Sequence, residues 1–288
     1  MKYIFYAVLF VFLLEGCHST INKDRQVDNA AVVKPKTTIN PLAQKFEPFL
    51  KGVWIPSKYI ADIERTKSPL ASQLAEVSCF YVSALPSNND SLHIGYSLGN
   101  HEGADFILFL KQGQNLTSLK TSLVDYDTKS NFYDLGYKIK NGDTSLFIYH
   151  YNKQNKLLDS VGYTRVANRA TDENDMAWGI QFITNKKLMA GRYAAIDSLG
   201  SSMDINFTNE GKVSGFHEFK NYEVLTDFSS GIEDNMDQVG FYQSDMGKAQ
   251  WFAYKFNLDT LNLYEALKND KNDSISQGKL KYKLVKQK

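Results

Sequence analysis

Cysteine is nearly absent. The 288-residue chain has two, Cys17 and Cys79, too few for a cysteine-based zinc site or a disulfide framework. An excess of charge of one sign is also lacking: 33 Lys and Arg stand against 32 Asp and Glu. That balance excludes the basic stripe of a nucleic-acid binder and gives no draw toward polyanions. Proline is limited to six residues and histidine to five. The sequence carries no nucleophile elbow, phosphate loop, dinucleotide fingerprint or zinc-protease helix. No catalytic residue, cofactor or metal ligand set is therefore assigned, and the expectation is a protein that is not an enzyme. The longest apolar run, Tyr3–Leu14, falls well short of the roughly 20 residues of a membrane-spanning helix. Aromatics, in contrast, are abundant, with 17 Tyr and 18 Phe, a bias that favours strands.

Met1 and Lys2 followed by that apolar run read as a secretory signal peptide over residues 1–16. It ends at Leu14-Glu15-Gly16-Cys17, which resembles the lipobox of bacterial lipoproteins: an aliphatic residue at −3, a small one at −1, then cysteine. Glu15 departs from the usual −2 residue. The resemblance implies cleavage before Cys17 and a diacylglycerol on its thiol, with a further acyl chain such as palmitate on its amine. Several acyl chains suffice for stable attachment to a lipid bilayer. His18 is not the aspartate that retains some lipoproteins in the inner membrane, so the expected location is the outer membrane of a Gram-negative bacterium. Residues 17–47 are polar, with Pro35 and Pro41, and are expected to form a disordered tether.

Beyond it, short apolar runs such as Val77–Ala84, Asp105–Leu110, Ser145–Tyr151 and Gln250–Phe256 alternate with turn signals such as Asn141-Gly142-Asp143 and Asn209-Glu210-Gly211-Lys212. Many short strands in series without alternating long helices predict an all-β, mainly antiparallel fold. One stretch differs. Ser57 and Ser68-Pro69 are helix-start signals, and Tyr59, Ile60, Ile63, Leu70 and Leu74 follow at helical spacing, predicting a short helix–turn–helix over Ser57–Leu74.

The chain also repeats itself. Gly52-Val53-Trp54 matches Gly191-Arg192-Tyr193, Asp143-Thr144 matches Asp259-Thr260, and Tyr163-Thr164-Arg165-Val166 matches Tyr282-Lys283-Leu284-Val285. The order is preserved, which predicts two units, 48–168 and 176–288, joined by a polar linker near Ala167–Asp175. Trp178–Ile183 is read as a bridging strand or the entry to the second unit.

These landmarks resemble the lipocalin-like superfamily, in which a Gly-x-Trp opens the first strand of a small antiparallel barrel. The resemblance implies two tandem barrels with Gly52, Trp54, Gly191 and Tyr193 at their floors and Arg165 lying over Trp54; the second repeat shows no evident late arginine. The helical insert is similar to that of the fatty-acid-binding branch. There the position of Tyr59, Ile60, Ile63, Leu70 and Leu74 is a lid over the barrel mouth, although the same residues serve equally to complete a core. The implied function is binding, of an apolar or amphipathic small molecule or of an envelope protein. The rivals are a glycan binder, an assembly lipoprotein with packed barrels, and a hydrolase. Several polar residues complete the inventory. His93 and His101 straddle a turn, near Glu102, and are read as solvated. His150 and His217 have no partner visible in sequence. Asp125, Asp127, Asp172, Glu173 and Asp175 fall in loop-like stretches. Asp270–Ser274 faintly resembles a calcium loop but reads better as a turn. Cys79, in an apolar run, is expected to be a buried free thiol.

Overall fold

The structure is a computed structural model that describes residues 40–72, 74–86, 89–172, 174–196, 202–228, 235–269 and 274–288. Cys17 and the signal segment lie outside the described residues, as does most of Asp270–Ser274. Residues 38–288 form one compact unit.

Alternating apolar residues and tight turns build an eight-stranded antiparallel meander from the first half of the chain. Its strands are β1 (Gly52–Pro56), β2 (Val77–Val82), β3 (Ser91–Leu98), β4 (Glu102–Gln112), β5 (Ser118–Val124), β6 (Phe132–Lys140), β7 (Asp143–Tyr151) and β8 (Leu157–Ala167). Pairing of β8 with β1 closes the barrel. The β6–β7 hairpin turns on Asn141 and Gly142, both at positive φ, as a two-residue turn matched to strand twist requires. A second meander follows: β9 (Gly191–Ile196), β10 (Ser202–Phe207), β11 (Val213–Ser214), β12 (Asn221–Val224), β13 (Gln238–Tyr242), β14 (Gln250–Asn257), β15 (Thr260–Lys268) and β16 (Ile275–Lys286). Here β16 returns to β9, and a bridge between Lys212 and Asn221 brings the two edges together into a barrel-like sheet. The fold is all-β and mainly antiparallel, as expected, in two eight-stranded barrel-like sheets.

The repeat landmarks occupy equivalent places. Gly52 and Gly191 open β1 and β9 at φ 131° and 137°, a backbone region that glycine alone enters easily. Trp54 faces Arg165 across β1–β8, and Tyr193 faces Lys286 across β9–β16. The Arg165 guanidinium lies 4.8 Å from the Trp54 ring, and the Lys286 ammonium 5.6 Å from the Tyr193 ring. The second unit therefore does have a late cation. It sits two residues past the position that the Tyr163/Tyr282 match assigns, because β8 pairs Tyr163 with Leu146 whereas β16 pairs Leu284 with Leu261. Burial lowers the pKa of both cations, and each lies over its ring.

A helix precedes each Gly-x-aromatic strand. Helix α1 (Pro41–Leu50) starts at Asn40, whose side chain accepts from the Leu42 amide at 2.9 Å, with Pro41 in the first turn. It occupies the end of the stretch expected to be a tether. Leu42, Ala43, Phe46, Phe49 and Leu50 recur on one face, and Phe46 and Leu50 enter the first barrel's interior. Trp54 Nε1 donates to the Leu50 carbonyl at 2.7 Å, and Arg165 donates to the Phe49 carbonyl at 3.0 Å. Floor, helix and last strand are thus tied by groups that the helix C-terminus leaves unpaired.

Before β9 stands helix α3 (Trp178–Thr184), continued by a π-helical turn, Asn185–Met189. This corrects the expectation of a bridging strand. The helix needs Gly179: a Cβ there would lie 2.6 Å from Val53, 2.8 Å from the Cys79 sulfur and 3.0 Å from Ile55. α3 rests directly on the outer face of β1 and β2.

The insert of the first unit is one helix, α2 (Ser57–Thr66), followed by a capped turn in which the Ser68 hydroxyl accepts from the Ala71 amide. Lys67 takes a left-handed conformation and ends the helix, and the few residues after it make a turn rather than a second helix.

Candidate functional site

The two interiors differ in how they are filled. In the second barrel Tyr193, Phe207, Tyr222, Phe241 and Phe252 are buried together, with edge-to-face contacts at 5.3 Å (Tyr193–Phe207) and 5.2 Å (Phe207–Tyr222). Phe216, from the β11–β12 connection, is fully buried and packs on Phe241 at 4.9 Å and Tyr282 at 5.0 Å. The floor of this barrel is closed by α3 and the π-helical turn, and also by α2. Tyr59 and Ile63 lie in the core that holds the second barrel's rings, not in the first barrel's interior. The Tyr59 hydroxyl pairs with Thr184 at 2.9 Å, and Asp237, just before β13, accepts from the Leu70 amide at 3.0 Å. Ile60 and Leu74 pack at the margin of this core, and Leu70 is 42% exposed. Of the five residues read as a lid over the first barrel, Tyr59 and Ile63 belong to its neighbour's core and Ile60 and Leu74 pack against it.

The first barrel is filled from its floor upward by Phe46, Leu50, Trp54, Phe80, Phe106 and Leu146. At its other end, between the start of β2, the β5–β6 loop and the β7–β8 hairpin, lies a cavity of about 540 Å³. Val77, Leu123, Ile148, Val161, Tyr133 and Tyr163 form its walls, and Glu76, Asp125, Tyr126, Asp127, Asp159 and His150 its rim.

His150 organises this rim. It points inward from β7, with Nε2 3.0 Å from Asp125 and Nδ1 3.0 Å from Asp159. A carboxylate thus stands at each ring nitrogen. Tyr133 stacks on the imidazole at 4.4 Å and 15°. Asp125 also caps the β5–β6 loop, accepting from the Asp127 and Thr128 amides and the Asn131 amide side chain. These hydrogen bonds, the Thr128 amide first, hold its carboxyl below the usual range. Burial pushes the Tyr133 hydroxyl up to about 12, and the fields of Asp125, Glu76, Asp159 and Asp127 act in the same direction. The Tyr163 hydroxyl is raised by burial and donates to the Val77 carbonyl at 2.8 Å, fixing one wall.

Other titratable groups do not converge. His93 faces Asp105 at 3.7 Å on the exposed side of the β3–β4 hairpin, whereas His101 pairs with Asp227 at 2.8 Å. No group of three or more His, Cys, Asp or Glu suited to a metal ion occurs among the described residues. Outside β6 and β7, the rings of Phe132, Tyr151, Tyr149 and Phe147 form a ladder, but Tyr149 and Tyr151 are 5% and 4% exposed and offer no face to a sugar. Cys79 is the buried free thiol expected of it.

The rim residues come from three separated stretches, and His150 showed no partner in sequence; the β7–β8 register sets it opposite Asp159, and Asp125 reaches it from the β5–β6 loop. Comparison with known protein families, characterised proteins and solved structures returns no match.

Proposed function

We propose that this protein is a lipid-anchored envelope lipoprotein that binds a small amphipathic molecule at the open end of its first barrel, without catalysis. The observation that carries the reading is the cavity itself. One of two similar barrels keeps an apolar-walled, polar-rimmed space of ligand size, whereas its partner is packed with rings. The non-catalytic part rests on the sequence, which carries no nucleophile elbow, phosphate loop, dinucleotide fingerprint or zinc-protease helix. The anchor rests on Leu14-Glu15-Gly16-Cys17 and on the polar residues that follow it.

Native mass spectrometry of residues 38–288 tests the binding. A co-purified small molecule that is lost on Val161→Trp, a substitution that fills the cavity, is the expected result. A ligand-free protein that also takes up no amphipathic probe would overturn it. For the anchor, Cys17→Ser should release the full chain from the membrane fraction or leave the signal uncleaved; unchanged fractionation and processing count against lipidation.

A further inference from the structure

We infer that the ligand of the first barrel's cavity is an organic cation with an apolar portion, an inference that rests on reading that cavity as a binding site. The cavity makes the site; its lining decides the charge. Four carboxylates line it, Glu76, Asp125, Asp127 and Asp159, and no Lys or Arg does. Two of the four share one imidazole, so the His150 ring offsets at most one of their charges. The Glu76 and Asp127 carboxylates have no hydrogen bond or ion pair among the described residues. A ligand carboxylate or phosphate entering here would meet like charge with no donor cation to receive it, which excludes the fatty acid that the insert's resemblance brings to mind.

The aromatic rings supply the complement. Tyr126 stands at the rim 80% exposed, and Tyr133, one face of which is stacked on His150, lines the wall below it. Ring faces next to carboxylates are the setting in which an ammonium group is held by both charge and quadrupole. Behind them Val77, Leu123, Ile148 and Val161 offer an apolar wall for a short alkyl or ring portion. Apolar depth, aromatic faces and an acidic rim in that order match a molecule that is greasy at one end and positive at the other.

The test uses three short-chain amphiphiles as monomers with residues 38–288: octyltrimethylammonium, octyl glucoside and octyl sulfate, each titrated calorimetrically. The cation is expected to bind at least tenfold more tightly than the other two, with that preference shrinking as salt is raised. The paired change Glu76→Gln with Asp127→Asn should cut the cation-to-glucoside affinity ratio severalfold. Equal binding of all three, or tightest binding of the sulfate, overturns the charge inference and leaves the cavity as a binding site. Binding of none of the three overturns the binding reading itself, and this inference with it.

Discussion

The two barrels start from the same plan and spend their ends differently. Each has a helix, a Gly-x-aromatic strand and a final cation lying on that aromatic ring. In the first, the helix α1 that closes the floor belongs to that barrel alone, and the opposite end keeps a cavity. In the second, the floor is built from two sources: its own α3 and the α2 helix lent by the first unit. Two barrels of one plan thus differ at their ends, one keeping a cavity and the other packed with rings. The helical insert present only in the first half of the chain packs in the core of the second barrel.

Several substitutions set the barrels against each other. The largest effect is expected for Trp54→Ala, which removes a fully buried ring from the first floor and should cost about 3–5 kcal/mol in chemical denaturation. Ile63→Ala comes next, at about 2–4 kcal/mol. Because Ile63 sits in the core of the second barrel, its signature should be a loss of near-ultraviolet ring signals with unchanged cation uptake. A small stability loss with altered uptake would instead restore the lid reading. Gly179→Val should cost about 1–3 kcal/mol by forcing α3 off β1 and β2, seen as a lower melting temperature. The paired change Arg165→Met and Lys286→Met sharpens the comparison. The first loses a charge-assisted bond to Phe49 as well as ring contact, about 2 kcal/mol; the second loses ring contact, about 0.5–1 kcal/mol. Equal costs would show that the two floors work alike.

The smallest effects are in pH. The Asp227 carboxylate raises the His101 pKa, so this tie between the units is fully present below about pH 6.5 and is lost as pH rises through the raised value. The Asp125 cap has the opposite sign. Its pKa is lowered, so its contribution is present above about pH 3.9 and is lost as pH falls through the lowered value. Histidine and carboxylate resonances followed by NMR check both, and a His101 that titrates at its ordinary value breaks the first.

Much of the fold was legible because its signals are local. Asn141-Gly142 marked its hairpin, and the Gly-x-aromatic pairs marked both first strands. What escaped depends on distant partners. Helix α1 was hidden by the polar stretch that precedes it and by its two prolines, Pro41 and Pro48, although Pro41 sits where a first turn tolerates it. Trp178–Ile183 carries a glycine and two isoleucines that weigh against a helix; the approach to Val53 and Cys79 explains the glycine, and burial in the shared core the isoleucines. Lys286 was missed because lysine is commonplace and the last strands pair two residues out of step with the sequence match. The cavity rim was the least legible. Asp125, His150 and Asp159 each look like surface residues until the β7–β8 register and the β5–β6 loop set them side by side.

The Cys79 sulfur lies against Gly179 at the seam between α3 and the first barrel, and burial pushes its thiol up to about 12. A thiol held neutral is a poor nucleophile, so an alkylating reagent reacts with it only when the seam opens. In residues 38–288 Cys79 is the sole cysteine, and its modification rate therefore counts openings of the joint one event at a time. Compared with the rate of global unfolding, that rate tells whether the second barrel lifts off the first while both stay folded, or whether the two can part only by coming undone together.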